Sequence, residues 1–175
     1  ESSAASDVYK RQFVTYHITE MKETDWLGVA DIYKQGIDTK ISTFQTEVPT
    51  YKVWDEGHIQ SCRFVAKEED KVVGFVAISQ SFERYVYRGV VELSIYIHKD
   101  YKGKGIASAL LEKLIMESEK EGFWTLESLI IRENEASIAL HKKCGFREVG
   151  YRERFGQMDN GKWHDVVIME RRIAN

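Results

Sequence analysis

The 175-residue chain reads as an α/β protein, a mixed sheet with helices on both faces folded as one domain. Three observations predict this. Segments with a two-residue apolar period alternate with segments of 3.6-residue period, so strands and helices interleave. The stretch from Val90 to Ala107 runs as a strand, then a basic glycine loop, then the start of a strong helix. There is no internal repeat, no low-complexity linker and one proline, Pro49, so nothing marks a domain boundary. A chain of this length buries about 70% of the surface its unfolded form exposes and needs no covalent staple.

Residues 1–12, ESSAASDVYKRQ, are small and polar without an apolar period, and are expected to form a tail or an added remnant outside the fold, leaving 13–175 as the domain. The first strand is expected over 13–18. A helix follows, opened by Thr24 and Asp25, with Trp26, Ala30, Tyr33 and Ile37 as its apolar stripe. A loop through Ser42, Phe44, Gln45, Thr46 and Glu47 leads to a short helix over 51–60. Strands over 63–68 and 72–79, joined by the charged turn Glu69-Asp70-Lys71, give an antiparallel hairpin.

After a loop over 82–89 comes the strand that carries Glu92. Alternation puts Val91, Leu93, Ile95 and Ile97 on one face and Glu92, Ser94 and Tyr96 on the other. The helix that begins at Gly105 buries Ala107, Leu110, Leu111, Leu114 and Ile115 and ends at Gly122. A strand over 124–131 leads to a helix capped by Asn134. Strands over 147–155 and 163–173, joined by Asp159-Asn160-Gly161, complete the chain.

Composition narrows the function. A net charge of −3 argues against a nucleic-acid surface, whose footprint is a basic excess. The two cysteines, Cys62 and Cys144, are too few for a disulfide framework and their spacing matches no metal motif, so a reducing compartment and no metal are expected. No apolar run approaches membrane-spanning length and no signal peptide is read, which makes a cytoplasmic, membrane-free protein the expectation.

The glycine loop points to an anion. Glycines let consecutive N–H groups turn into one concavity, and the helix that follows adds its positive end at the same spot. Lys102 and Lys104 bring charge suited to a diphosphate. A P-loop is excluded because Gly103 and Gly105 are one residue apart and are followed by Ile106-Ala107-Ser108. A dinucleotide fingerprint is excluded because position 108 is Ser and the loop comes late in the chain. Glu92, one strand's length from this loop, is either a solvated side chain or a general base.

Lys102-Gly103-Lys104-Gly105-Ile106-Ala107 resembles the [RQ]-x-x-G-x-[GA] acetyl-CoA signature of the GNAT superfamily of N-acetyltransferases, with Lys102 where Arg or Gln is more frequent. The stretch Glu133-Asn134-Glu135-Ala136-Ser137-Ile138-Ala139-Leu140-His141-Lys142-Lys143-Cys144-Gly145-Phe146 resembles the E-N-x-x-S-x-x-L-H-x-x-x-G-F segment of the phosphinothricin and methionine sulfoximine acetyltransferase branch, as does Gly161-Lys162-Trp163-His164-Asp165-Val166. These motifs occur in order over about 16–172, nearly the whole chain.

The resemblance implies a mostly antiparallel twisted sheet and acetyl-CoA as co-substrate. It implies that Glu92 deprotonates the amine, directly or through a water, and that backbone groups of Ile95, Tyr96 and Ile97 hold the pantetheine arm and acetyl carbonyl. The diphosphate then falls on Lys102, Gly103, Lys104, Gly105, Ile106, Ala107 and Ser108, with Asn134 and Ser137 lining the other side of the channel. His141 stands where many relatives have a tyrosine that protonates the departing thiolate; it either does so here or packs.

Phe44, Thr46 and Tyr87 match pocket positions of that branch. Arg84, in the loop before Glu92, is placed to meet a substrate carboxylate. His98, His164, Trp163 and Asp165 are expected to be structural, and His17 and His58 solvated. The expected reaction is α-N-acetylation of a small amino-acid-like amine such as phosphinothricin, methionine sulfoximine or methionine sulfone, by a homodimer. The alternatives are acetylation of a protein N-terminus, polyamine or aminoglycoside, or a non-catalytic acyl-CoA-binding module.

Overall fold

The computed structural model describes residues 15–174, so the expected tail and the first residues of the expected opening strand, Phe13 and Val14, lie outside the described residues. The strands are β1 (His17–Glu20), β2 (Phe64–Glu68), β3 (Lys71–Gln80), β4 (Val90–Ile97), β5 (Thr125–Ile131), β6 (Arg147–Gln157) and β7 (Trp163–Arg172). The helices are α1 (Trp26–Thr39), α2 (Tyr51–Glu56), α3 (Ile106–Lys120) and α4 (Glu135–Lys143). Among the described residues they form a seven-stranded sheet of order β1-β2-β3-β4-β5-β7-β6. Its pairs are antiparallel except β4 with β5, which α3 joins as a crossover.

Two helical layers cover the sheet. Ile106, Leu110, Leu111 and Leu114 of α3 pack on Val76, Ile78, Val91, Leu93, Leu126, Ile130 and Met169. On the other face Val29 and Ile32 of α1 and Trp54 of α2 pack on Val65, Phe75 and Ala77. Each such aliphatic side chain contributes about 1.5–3 kcal/mol on leaving water. No helix among the described residues is long and apolar enough to cross a membrane.

The expected stripe of α1 is displaced. Val29, Ile32, Gly36 and Ile37 are its buried residues, while Trp26, Ala30 and Tyr33 are half-buried. Tyr96, projecting from β4 beneath α1, accounts for this: a Cβ at Gly36 would lie 2.7 Å from the Tyr96 ring. Asp25 caps no α1 amide. Its carboxylate accepts from Lys22 N at 2.9 Å and pairs with Lys67 Nζ at 2.7 Å.

α2 stops at Glu56, sooner than expected, with Thr50 as its cap. His58, expected to be solvated, is half-buried and stacked on Trp54 at 4.2 Å, with Nδ1 2.6 Å from the Trp54 carbonyl. Arg63 ties α2 to β2, bonding the Asp55 carboxylate and the carbonyls of Ile59, Asp55 and His58.

Candidate active site

β4 and β5 pair only through Val90–Thr125, Val91–Leu126 and Glu92–Glu127. Beyond Glu92 the two strands part, although β4 stays paired with β3 as far as Ile97. The fork opens into a cavity of about 1130 Å³. Glu92, Ser94, Ile95, Tyr96 and Ile97 line one arm, and Ser128, Leu129, Ile130 and Ile131 the other. Strands held on one side only leave N–H and C=O groups directed into the gap.

At one end of the cavity lies the glycine loop. His98 starts its approach by accepting the Asp100 amide at Nδ1, 3.1 Å, at the head of a single turn Lys99–Tyr101. Gly103 has φ 74° and Gly105 φ 83°, left-handed values that favour glycine, and a Cβ at either would meet no heavy atom within 4 Å. The concavity is therefore open. Gly105 is the N-cap of α3 and offers no side-chain oxygen, so the first α3 amides remain free for an anion.

Lys102, Gly103, Gly105, Ile106, Ala107 and Ser108 line the cavity, and Lys104 does not. Asn134 and Ser137 line it from α4, where Asn134 Oδ1 also caps the helix by accepting from Ser137 N at 3.3 Å. Lys143, unforeseen in the sequence, lines the cavity at this end and donates to Ser108 Oγ at 3.4 Å. The only signal for it was the Lys142-Lys143 pair at the end of a helix, a pattern that usually marks a solvated helix end.

Glu92 is half-buried in the crotch of the fork and faces the cavity. Burial, with the Glu127 charge adding to it, raises its carboxyl above the ordinary range. A raised carboxylate is a better proton acceptor near neutral pH.

The wall beyond Glu92 includes Tyr33, Thr43, Phe44, His58 and Ser79. Phe44 lies against Gly156, where a Cβ would come within 2.5 Å of its ring, and against the buried His164 at 6.2 Å between ring centres. His164 Nδ1 is 2.9 Å from Glu133, whose carboxyl is held below its usual range mainly by that bond. Asp165 Oδ1 accepts Arg154 N at 2.8 Å within the irregular part of the β6–β7 pairing. The Asp159 carboxylate takes Lys40 Nζ at 2.8 and 3.0 Å, tying the loop after α1 to the β6–β7 turn.

Three expected substrate residues are not brought into the cavity wall. Thr46 is exposed, and Arg84 and Tyr87 stand in the exposed loop at the Glu92 end of β4, with the Arg84 guanidinium 5.7 Å from the Tyr87 ring. That loop contains a single turn, Tyr85–Tyr87, that its sequence did not announce. His141 is also outside the wall. It is fully buried, with Nδ1 donating to the Ser137 carbonyl at 2.7 Å, its ring against Phe146 at 5.0 Å, and Nε2 without a partner among the described residues. The helical spacing puts Asn134, Ser137 and His141 near one another, but the last of them turns into the core.

A fork of backbone groups, an open glycine concavity at a helix N-terminus and a half-buried carboxylate between them form the arrangement that the family resemblance implies for an acyl-coenzyme A-dependent transferase. Residues 29–146 match the model of the acetyltransferase (GNAT) family. The chain is similar to the L-amino acid N-acyltransferase MnaT of Escherichia coli K12, 32% identical over 85% of this chain and 89% of that one. It is similar to the L-methionine sulfoximine/L-methionine sulfone acetyltransferase of Pseudomonas paraeruginosa, 37% identical over 48% of each.

Among solved structures, a GNAT superfamily phosphinothricin acetyltransferase from Sinorhizobium meliloti, in complex with acetyl-CoA, superposes with a TM-score of 0.83 at 28% identity over 91% of this chain and 89% of that one. The chain belongs to the GNAT acetyltransferase family. It is an N-acetyltransferase, and acetyl-CoA is the donor used by that class.

Proposed function

We propose that this enzyme acetylates the α-amine of a small amino-acid-like substrate of the phosphinothricin, methionine sulfoximine or methionine sulfone type, with Glu92 as general base. The observation that carries the reading is the place of Glu92: it faces a continuous cavity with the open glycine concavity at one end and the Phe44 chamber at the other. Acetyl-CoA, when bound, supplies a thioester carbonyl open to attack by an amine. Gly103, Gly105 and the first amides of α3, with Lys102 and Lys143 nearby, would hold its phosphates. The open-sided backbone of Ile95, Tyr96 and Ile97 would orient its arm and stabilise charge on the carbonyl oxygen.

An α-ammonium group has no lone pair and titrates near 8, so the substrate must lose a proton before it attacks. Glu92 accepts that proton, directly or through one water, at a carboxylate oxygen facing the cavity. His141 takes the packing role of the two open to it, because its Nδ1 proton is committed to the Ser137 carbonyl and its ring is sealed from the cavity.

Arg84 stands outside the cavity wall against the Tyr87 ring, in the exposed loop at the Glu92 end of β4, and would meet the substrate carboxylate from there. The names of the similar proteins support an amino-acid-like acceptor. Exposed Phe82, Tyr85, Val86, Val149, Tyr151 and Trp163 on the loop before β4 and the β6–β7 hairpin support pairing of two copies. Unpaired Cys62 and Cys144 support a reducing, cytoplasmic setting.

The test is acetyl-CoA consumption against a panel of these three analogues, ordinary amino acids, polyamines, aminoglycosides and peptides with free N-termini. The analogues are expected to give the highest kcat/KM, and Arg84→Ala to raise their KM about tenfold with a smaller change in kcat. Preference for a polyamine or a peptide N-terminus over all three analogues defeats the substrate assignment. Acetyl-CoA binding without turnover on any amine defeats the enzymatic one.

A further inference from the structure

The last rung before the β4–β5 fork carries two carboxylates. Glu92 and Glu127 are register partners on parallel strands, so their side chains stand side by side on the same face of the sheet. Only Glu92 lines the cavity; Glu127 is half-buried behind it. We propose that Glu127 is a positioning residue of the catalytic centre: a second carboxylate, fixed beside Glu92 by the register of β4 and β5, that sets how readily Glu92 takes the proton of the amine. The proposal rests on Glu92 being the base.

The surroundings single out this pair. On β3 the partner of Glu92 is Ser79, which is neutral. Along β4 the same face continues to Ser94 and the Tyr96 hydroxyl, and Tyr33 of α1 and His58 after α2 line the cavity nearby. His58 titrates below its ordinary value, because burial outweighs its bond to the Trp54 carbonyl, and so it stands neutral near pH 7.

Beyond Glu127, across the β5–β7 ladder, lies Glu170, which is paired with Arg147 of β6. Arg172, two residues further along the same face of β7, directs its guanidinium to the carbonyls of Ile173 at 3.1 Å and Trp124 at 3.5 Å. Glu127 has no ion pair among the described residues. Burial raises its carboxyl, with Glu170 adding to the rise. A like charge beside a half-buried carboxylate disfavours its ionised form, so the proton Glu92 accepts is held more firmly with Glu127 present than without it.

The direct test is the carboxyl titration of Glu92, followed by carbon-13 NMR in the full chain labelled at glutamate side chains and assigned by loss of the signal in Glu92→Gln. Glu127→Gln is expected to lower the Glu92 midpoint by about half a unit to one unit. The acid limb of kcat/KM against pH should move down by the same amount, with kcat at the plateau falling several-fold because a weaker base accepts the proton. Glu127→Asp, which keeps the charge, is expected to restore most of the parent profile. Glu170→Gln should shift it less than Glu127→Gln does.

If Glu127→Gln does not fold, Glu127→Val, a strand-favouring residue at the same place, is read in the same way. A Glu92 midpoint that is unchanged within about 0.2 unit, or that rises, overturns the proposal. The titration needs no turnover, so a moved midpoint in a protein that acetylates no amine upholds the pairing and refutes the catalytic reading. An unmoved midpoint in an active enzyme does the reverse.

Discussion

Glu92 is where electrostatics and stability pull in opposite directions. Its carboxyl is raised in the folded chain, by burial first and by Glu127 second, above the value it has when unfolded. Such a group contributes fully to stability below its unfolded pKa and loses that contribution as pH rises through the folded one. Glu92→Gln is therefore expected to cut turnover by about 10² while raising the melting temperature at pH 7–8. The gain should vanish below the ordinary carboxylate range, where the parent side chain is itself neutral. Calorimetry at both pH values, beside single-turnover rates, checks the pair of effects. Lower stability of the Gln variant at neutral pH would show that the carboxylate is held there by favourable contacts.

Single residues were legible to different degrees. Strict alternation put Glu92 opposite Val91 and Leu93, and two closely spaced glycines after a strand marked the loop; both depend on chain-local geometry, and the structure keeps both. Lys143 and the partnership of Glu127 with Glu92 were not legible, because each depends on which strand or helix lies alongside. His58 looked solvated in the sequence and is stacked on Trp54 only because α2 ends at Glu56 and turns back.

At the scale of elements, the end of the cavity proposed for the acceptor is built by a loop leaning on a hairpin. Phe44 fits because Gly156 of β6 has no side chain, and Lys40 with Asp159 fastens the base of the same loop to the turn of that hairpin. Gly156→Ala puts a methyl group 2.5 Å from the Phe44 ring and must displace it. The expected result is a rise of about tenfold in KM for the amine with acetyl-CoA affinity changed less than about twofold, read by initial rates and calorimetric titration. Equal loss of both would mean that the loop also shapes the coenzyme end.

The same scale shows why periodicity misplaced the α1 stripe. Trp26, Ala30, Tyr33 and Ile37 do recur at helical spacing, yet Gly36, invisible to a hydrophobic pattern, is the residue that receives Tyr96. Hydrophobicity finds the faces of this sheet and most of α3, where Leu110, Leu111 and Leu114 are fully buried. It says nothing of the fork, which the three-rung register of β4 with β5 defines.

For the whole molecule, the outer strand β6 is exposed along most of its length and the loop before β4 exposes Phe82, Tyr85, Val86 and Tyr87. These two exposed apolar groups are the surface on which a second copy would pack. Sedimentation velocity at micromolar concentration is expected to show twice the chain mass, and a single-chain mass under those conditions would refute pairing. The net charge of −3 makes such an association depend on apolar contact more than on attraction between opposite charges.

The fork also has a mechanical meaning. Four strands on one side and three on the other are fastened edge to edge by three rungs at one end, while α3 beneath them packs on residues from both groups. The two arms are joined near Glu92 and stand apart toward Ile97 and Ile131, like a pair of tweezers held near the joint. Small changes in the angle between the arms move Ile97 and Ile131 most and Glu92 and Glu127 least. A change in the gap at the mouth would therefore leave the spacing of the two carboxylates at the pivot nearly fixed.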